Sequence, residues 1–179
     1  MKKILFILSF IFMLSLASSL TININETGYF NNGTFILSNN PLGEASNLTI
    51  DGDILNISQG NYTTQLFINK SISIIGAGYD QTFINLPKNA DSLSGGSDHV
   101  TAGILIYSPN YSNPSVNVHV AGLTLNGNYT TNKWVAGVFV YSANATIDSI
   151  VIKNYRLGNK TSMNLSKDVT QYGVLIDRL

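Results

Sequence analysis

Three segments in the second half of the chain share one pattern of apolar and polar positions. In each segment a glycine precedes a short β-branched run, and the glycines are Gly103, Gly137 and Gly173. Such a run with alternating apolar positions predicts a β-strand rather than a helix. The glycines lie 34 residues apart (103 to 137) and 36 residues apart (137 to 173). Because repeats of about 20–50 residues are typical of stacked architectures, the pattern predicts β-strands that stack on one another.

A second strand-like run follows two of these segments. Side chains alternate between the faces of a strand, so the apolar residues of each segment share one face. These residues are Ile104 and Ile106, then Val138 and Val140, then Val174 and Ile176. The second run matches between units in the pairs Val118 with Ala145, Val120 with Ile147, Leu123 with Ile150, and Leu125 with Ile152. One unit alone leaves its apolar face in water, so we expect stacking to form ladders of like residues.

The first half of the chain carries a family resemblance. Its segments are Gly60-Asn61-Tyr62, Lys70-Ser71-Ile72-Ser73-Ile74, Gly76-Ala77-Gly78 and Thr82-Phe83-Ile84. They resemble the opening turns of right-handed parallel β-helix proteins of the pectin lyase-like superfamily, and the resemblance covers residues 53–179. The chain is also similar to adhesin-like surface proteins of archaea that carry such helices. The resemblance implies an all-β fold, a right-handed parallel β-helix (solenoid), and says little about activity.

The sequence predicts three regions. Residues 1–19 have the form of a secretory signal peptide, with two lysines, an apolar run and small residues, and an uncleaved N-terminal anchor is the alternative. Residues 20–52 are interpreted as an N-terminal cap with strands at Leu20–Ile24, Thr34–Leu37 and Leu48–Ile50. Residues 53–179 are predicted to form the parallel β-helix. Since its last unit lacks a second strand, we expect the N-terminal part of a longer stack, with self-association at the open C-terminal end.

Composition narrows the classes of function. Only 11% of the 179 residues are charged, with ten basic and ten acidic side chains, so binding to nucleic acid through phosphate contacts is not supported. There is no cysteine and there are two histidines, which argues against a thiolate or histidine-rich metal site. No cofactor or metal is expected. The signal peptide predicts a secreted or extracellular cell-surface location, with membrane contact through that peptide alone.

Asn-x-Ser/Thr sequons are unusually dense. Eleven of the 22 asparagines are in sequons, against about four expected by chance, which favours N-glycosylation of a secreted surface. The alternative is that turns rich in asparagine and threonine produce sequons incidentally. The candidate acceptors are Asn25, Asn32, Asn47, Asn56, Asn61, Asn69, Asn110, Asn128, Asn144, Asn159 and Asn164.

Charged residues near the C-terminus are the candidates for catalysis. Glycoside hydrolysis needs two carboxylates, and lyases of the resembled fold use acidic Ca²⁺ ligands with a basic residue. The residues in question are Asp148, Asp168 and Asp177, with Lys153 and Arg156. None is in a motif of either enzyme class, so no catalytic residue is assigned and solvated turn residues are the preferred interpretation. The alternative is a polysaccharide lyase or glycoside hydrolase whose catalytic residues lie beyond Leu179.

An outward row of apolar residues has two interpretations. The row contains Leu105, Phe139 and Leu175, with Tyr107 and Tyr141 beside them. Apolar residues on both faces of a strand imply cover on both sides. Either a loop or the N-terminal segment covers the row, or the row is a platform for sugar rings or a partner. The favoured function is a secreted or cell-surface glycoprotein with a structural, adhesive or carbohydrate-binding role, whose partners are polysaccharides or cell-surface glycans.

Overall fold

The computed structural model describes residues 19–91, 93–95, 98–110, 115–129, 134–155 and 171–177. The predicted signal peptide, Ser19 excepted, lies outside these residues. Within them, no helix has the length and apolarity that crossing a membrane requires. The elements in chain order are β1 (Thr21–Asn25), β2 (Gly28–Asn31), β3 (Thr34–Leu37), α1 (Pro41–Leu48), β4 (Ile54–Ile57), β5 (Gly60–Thr63), β6 (Leu66–Ile68), β7 (Ser73–Gly76), β8 (Thr82–Asn85), β9 (Leu93–Gly95), β10 (Asp98–Tyr107), β11 (Asn117–Ala121), β12 (Thr124–Tyr129), β13 (Trp134–Tyr141), β14 (Asn144–Asp148), β15 (Val151–Tyr155) and β16 (Gln171–Asp177).

The fold is all-β, and its strands form three mainly parallel sheets. Sheet A has the strand order β14-β11-β7-β4-β1-β2-β3, sheet B has β15-β12-β8-β5, and sheet C has β16-β13-β10-β6 with β9 beside β10. From β4 onward the chain passes through sheets A, B and C in that order four times. We call each such set of three strands a repeat unit. Parallel pairing therefore places equivalent positions of successive units next to one another.

The predicted ladders of like residues are confirmed in sheet C. Ile104 is the register partner of Val138, and Val138 is the partner of Val174. The pairs Val118 with Ala145, Val120 with Ile147 and Leu125 with Ile152 are also register partners. Ile104 and Val138 are completely buried in the main core. The repeat visible in the sequence is thus the repeat that builds the core.

Asparagine side chains link neighbouring strands on the outside of the sheets. In each link the Nδ2 of one asparagine donates to the Oδ1 of an asparagine on the neighbouring strand, at 2.7–3.2 Å. Two sequon residues, Asn56 and Asn144, use their Nδ2 in this way. The donor–acceptor pairs are Asn56 to Asn23, Asn126 to Asn85, Asn154 to Asn126 and Asn144 to Asn117.

The region 20–52 contains the helix α1, which the sequence analysis did not predict. The strands expected near Leu20–Ile24 and Thr34–Leu37 are present as β1 and β3, whereas the strand expected at Leu48–Ile50 is wrong. Asn40 caps the helix by accepting a hydrogen bond from the Gly43 amide at 3.2 Å, and a proline occupies its first turn. Both features are helix-start signals that outweigh a short apolar run. Leu42 and Ala45 bury the helix against the main core.

The hydroxyl group of Tyr155 is buried in the interior without a hydrogen-bond partner. Its ring lies against Gly127, where an added Cβ would be 2.6 Å from the ring Cγ. Among the described residues, its Oη is the one buried side-chain polar atom that makes no hydrogen bond. Burial raises the pKa of the Tyr155 phenol above its ordinary value. An unpaired buried hydroxyl costs free energy because its hydrogen bonds to water are lost on folding.

We expect Tyr155→Phe to raise the free energy of unfolding by about 1 kcal/mol, because it removes the unpaired hydroxyl and keeps the ring. The matched control is Tyr62→Phe, since Tyr62 is also buried but donates from Oη to the Ser58 carbonyl at 3.1 Å. This control should lose about 1 kcal/mol. Urea unfolding of both variants at neutral pH measures the difference. Destabilisation by Tyr155→Phe comparable to that of the control would show that the Tyr155 hydroxyl has a partner.

Candidate functional site

The outward face of sheet A forms an open groove across β7, β11 and β14. Val118 and Val120 of β11 point into the core, and the alternation of the strand turns His119 outward. The groove has a volume of about 240 Å³. Three successive repeat units and the turn before β4 contribute to it. Its lining residues are Gly52, Ser71, Ile72, Ser73, Asn117, Val118, His119, Asn144, Ala145 and Thr146.

Strand register sets the arrangement of polar groups in the groove. Ser73, His119 and Thr146 are partners on the adjacent strands β7, β11 and β14, so their side chains form one row across the sheet. Beside this row, Asn144 Nδ2 donates to the side-chain Oδ1 of Asn117 at 3.2 Å. The backbone N–H of Asn117 donates to Ser71 Oγ at 3.1 Å. Hydroxyl, amide and imidazole groups are therefore held at fixed positions by the backbone pairing beneath them.

A His119–Asp148 pair lies at the edge of the groove. His119 Nε2 is 2.6 Å from Asp148 Oδ2, and both side chains remain accessible to solvent. The hydrogen bond from His119 lowers the pKa of the Asp148 carboxyl below its ordinary value. The stabilising contribution of this contact is therefore present above the ordinary carboxyl range and is lost as pH falls through the lowered pKa. Within the described residues His119 Nδ1 makes no hydrogen bond, so the oriented ring keeps one nitrogen for a ligand.

The other candidates for catalysis do not join this pair. Lys153 lies on sheet B, with its Nζ 5.3 Å from the centroid of the Phe83 ring. Arg156 and Asp168 lie outside the described residues, and Asp177 is described only through the backbone of β16. In the part of the chain that the structure covers, no three metal-ligating side chains come together.

The structure buries the centre of the candidate apolar platform. Leu105 and Phe139 are register partners, as expected, but their exposed fractions are 0% and 5%. They form a second apolar cluster with Val100, Ala102 and Ala136, and Tyr141 packs against it. Val100 and Ala102 join Leu105 because the alternation of β10 breaks at Gly103, which turns these residues away from the main core. Tyr107 is half-buried, and the Leu175 side chain lies outside the description. The row is thus closed to a ligand at its centre.

The sequon asparagines differ in what their side chains do. Asn32, Asn47, Asn56, Asn61, Asn110 and Asn144 are exposed, whereas Asn25 and Asn69 are half-buried. Asn159 and Asn164 lie outside the described residues, and Asn128 is described through its backbone only. The amide nitrogens of Asn56 and Asn144 already donate to neighbouring asparagines. A glycan on either residue would replace one of the two hydrogens on an Nδ2 atom that donates to the neighbouring strand.

Sequence reasoning missed the groove as a site. It named none of Ser73, His119 and Thr146 as a candidate site residue. A signal was present, because aligning the repeat units places polar residues at the outward positions that flank the matched apolar ones. Neither a protein-family model nor a curated protein matches the chain. The geometry of the groove is therefore the basis for a functional proposal.

Proposed function

We propose that this protein is a secreted or cell-surface glycoprotein with a structural or adhesive role that binds polysaccharide in the sheet A groove. The observation that carries the proposal is the row Ser73–His119–Thr146 across three adjacent strands, in an open groove. Sugar hydroxyls both donate and accept hydrogen bonds. Hydroxyl, amide and imidazole side chains match them without a strong charge.

At the level of the fold, we propose a right-handed parallel β-helix of the pectin lyase-like type. Four repeat units that pass through the three sheets in one order support this assignment. So do the parallel register pairs between successive units. Such a scaffold suits an extracellular role, since its core is a continuous stack that needs no disulfide.

We expect His119→Ala and Thr146→Ala each to weaken polysaccharide binding by roughly tenfold, because each removes hydrogen bonds from the centre of the row. The control is Thr21→Ala, which removes an exposed threonine of β1 that belongs to no sequon and does not line the groove. Binding to immobilised mannan, galactan and polygalacturonate would be measured with the wild-type chain and the three variants, all made in bacteria so that loss of the Asn144 sequon in Thr146→Ala changes no glycan. Binding that is equal in all four proteins would exclude the groove as the saccharide site, and wild-type binding to none of the polymers would contradict carbohydrate recognition.

The His119–Asp148 pair favours one second candidate, a polysaccharide lyase or hydrolase. A histidine oriented by a carboxylate is an arrangement that general acid–base catalysis uses. The same polymers would be incubated with the purified chain, and new reducing ends and unsaturated products would be measured. Turnover by the wild-type chain that is lost in His119→Ala would identify an enzyme, whereas binding without turnover supports the adhesive role.

A further inference from the structure

The outward face of the β1–β2–β3 hairpins carries an apolar patch in water. Phe30 and Phe35 are cross-strand partners whose ring centroids are 5.0 Å apart. Phe35 is 38% exposed, and Leu37 at the end of the same strand is 77% exposed. Exposed apolar clusters of this kind mark surfaces that contact something other than water. We call Phe30, Phe35 and Leu37 the hairpin patch.

A glycine on this face lets an aromatic ring pack close to the backbone next to a sequon. Asn25 is the register partner of Gly28, and Gly28 is the partner of Leu37, so the three positions form one row across the hairpins. The Phe35 ring lies over Gly28, where an added Cβ would be 2.7 Å from Cζ. Since the buried residues of β1 are Ile22 and Ile24, Asn25 is on the outward face. Its side chain therefore adjoins the hairpin patch.

The amide of Asn25 is held in one orientation. Its Oδ1 accepts hydrogen bonds from the Thr27 amide at 3.0 Å, the Thr27 hydroxyl at 2.9 Å and the Gly28 amide at 3.0 Å. All three contacts use the oxygen. The amide nitrogen of Asn25 makes no hydrogen bond with the described residues, in contrast to the nitrogens of Asn56 and Asn144. The acceptor atom of this sequon is thus available, and its residue is in the row that reaches Leu37 of the hairpin patch.

We propose that Asn25 carries an N-linked glycan whose first sugar packs its C–H face on the hairpin patch. The inference rests on the proposed function, because it requires secretion and glycosylation. In the modification, Asn25 Nδ2 bonds to the anomeric carbon of a lipid-linked diphosphate sugar donor. The bond from that carbon to the diphosphate oxygen breaks, the lipid diphosphate leaves, and the amide loses one proton. The attached sugar then covers aromatic surface that is otherwise in contact with water.

The test uses the full chain, expressed in a secreting eukaryotic cell, with site occupancy measured by glycopeptide mass spectrometry. Two variants at one position differ in the sequon: Thr27→Ser keeps it, and Thr27→Val removes it. Each variant is also combined with Phe35→Ala. We expect occupancy of Asn25 in the wild type and in Thr27→Ser. The same variants made without glycosylation in bacteria measure the loss of the Thr27 hydroxyl contact to Asn25. Beyond that difference, loss of the glycan in Thr27→Val should lower Tm by about 2–4 °C relative to Thr27→Ser, and Phe35→Ala should abolish this additional loss.

Three other outcomes would overturn the inference, and they are distinguishable. An unmodified Asn25 in a chain glycosylated at other sequons would refute the site and leave the proposed function standing. A modified Asn25 whose effect on Tm is the same with and without Phe35 would refute the packing on the hairpin patch. A secreted chain without a glycan at any sequon would refute the inference together with the glycoprotein assignment.

Discussion

Replacing Val138 with aspartate should be the most damaging single change, lowering the free energy of unfolding by about 3–5 kcal/mol. Val138 is completely buried between its register partners Ile104 and Val174. A carboxylate there loses its hydration, and neither neighbour offers a hydrogen bond or an opposite charge. Because each unit is stabilised by its neighbours, the damage should extend to the units on both sides.

The matched control is Val151→Asp, which makes the same chemical change at an exposed strand position in β15. It should cost about 1 kcal/mol or less, since the new carboxylate stays in water. Urea unfolding of the wild type and both variants, followed by circular dichroism, measures the contrast. Similar midpoints for Val138→Asp and Val151→Asp would show that the assignment of inward and outward positions is wrong.

The second large effect is expected for Gly76→Ala, at about 2–3 kcal/mol. The backbone of Gly76 lies so close to that of Gly122 in the next unit that a Cβ on Gly76 would overlap the Gly122 carbonyl oxygen. The same oxygen accepts a hydrogen bond from the Gly78 amide at 2.9 Å. Both contacting groups are backbone, so relief requires the two units to move apart and breaks that hydrogen bond.

Gly33→Ala provides the control for a glycine without close neighbours. Gly33 is in the β2–β3 turn with φ of +78°, and nothing lies within 4 Å of an added Cβ. Its replacement should cost about 1 kcal/mol through the left-handed backbone alone. Thermal unfolding of both variants separates the two causes. A Gly76→Ala protein as stable as Gly33→Ala would mean that the two units are not in backbone contact at this point.

The repeat units were predicted correctly because their signal is the pattern of apolar residues within short segments. Alternation within a run assigns Ile104 and Ile106 to one face, and the recurrence of the run aligns them with Val138 and Val140. The helix α1 was missed although Asn40 and Pro41 are recognisable start signals, because a short apolar segment after them was interpreted as a strand. The burial of Leu105 and Phe139 was weighed but not decided, since cover for the second face depends on where other segments pack.

The amino-acid sequence by itself determined the all-β class and the register between repeat units, because both follow from the spacing of apolar residues along the strand. Only the tertiary structure decided which polar residues meet. His119 and Asp148 are 29 residues apart and belong to different units, yet parallel pairing brings their side chains to 2.6 Å. The row of Asn25, Gly28 and Leu37 likewise depends on two antiparallel pairings. Contacts between outward side chains depend on strand order and pairing direction, for which a single sequence carries no periodic signal.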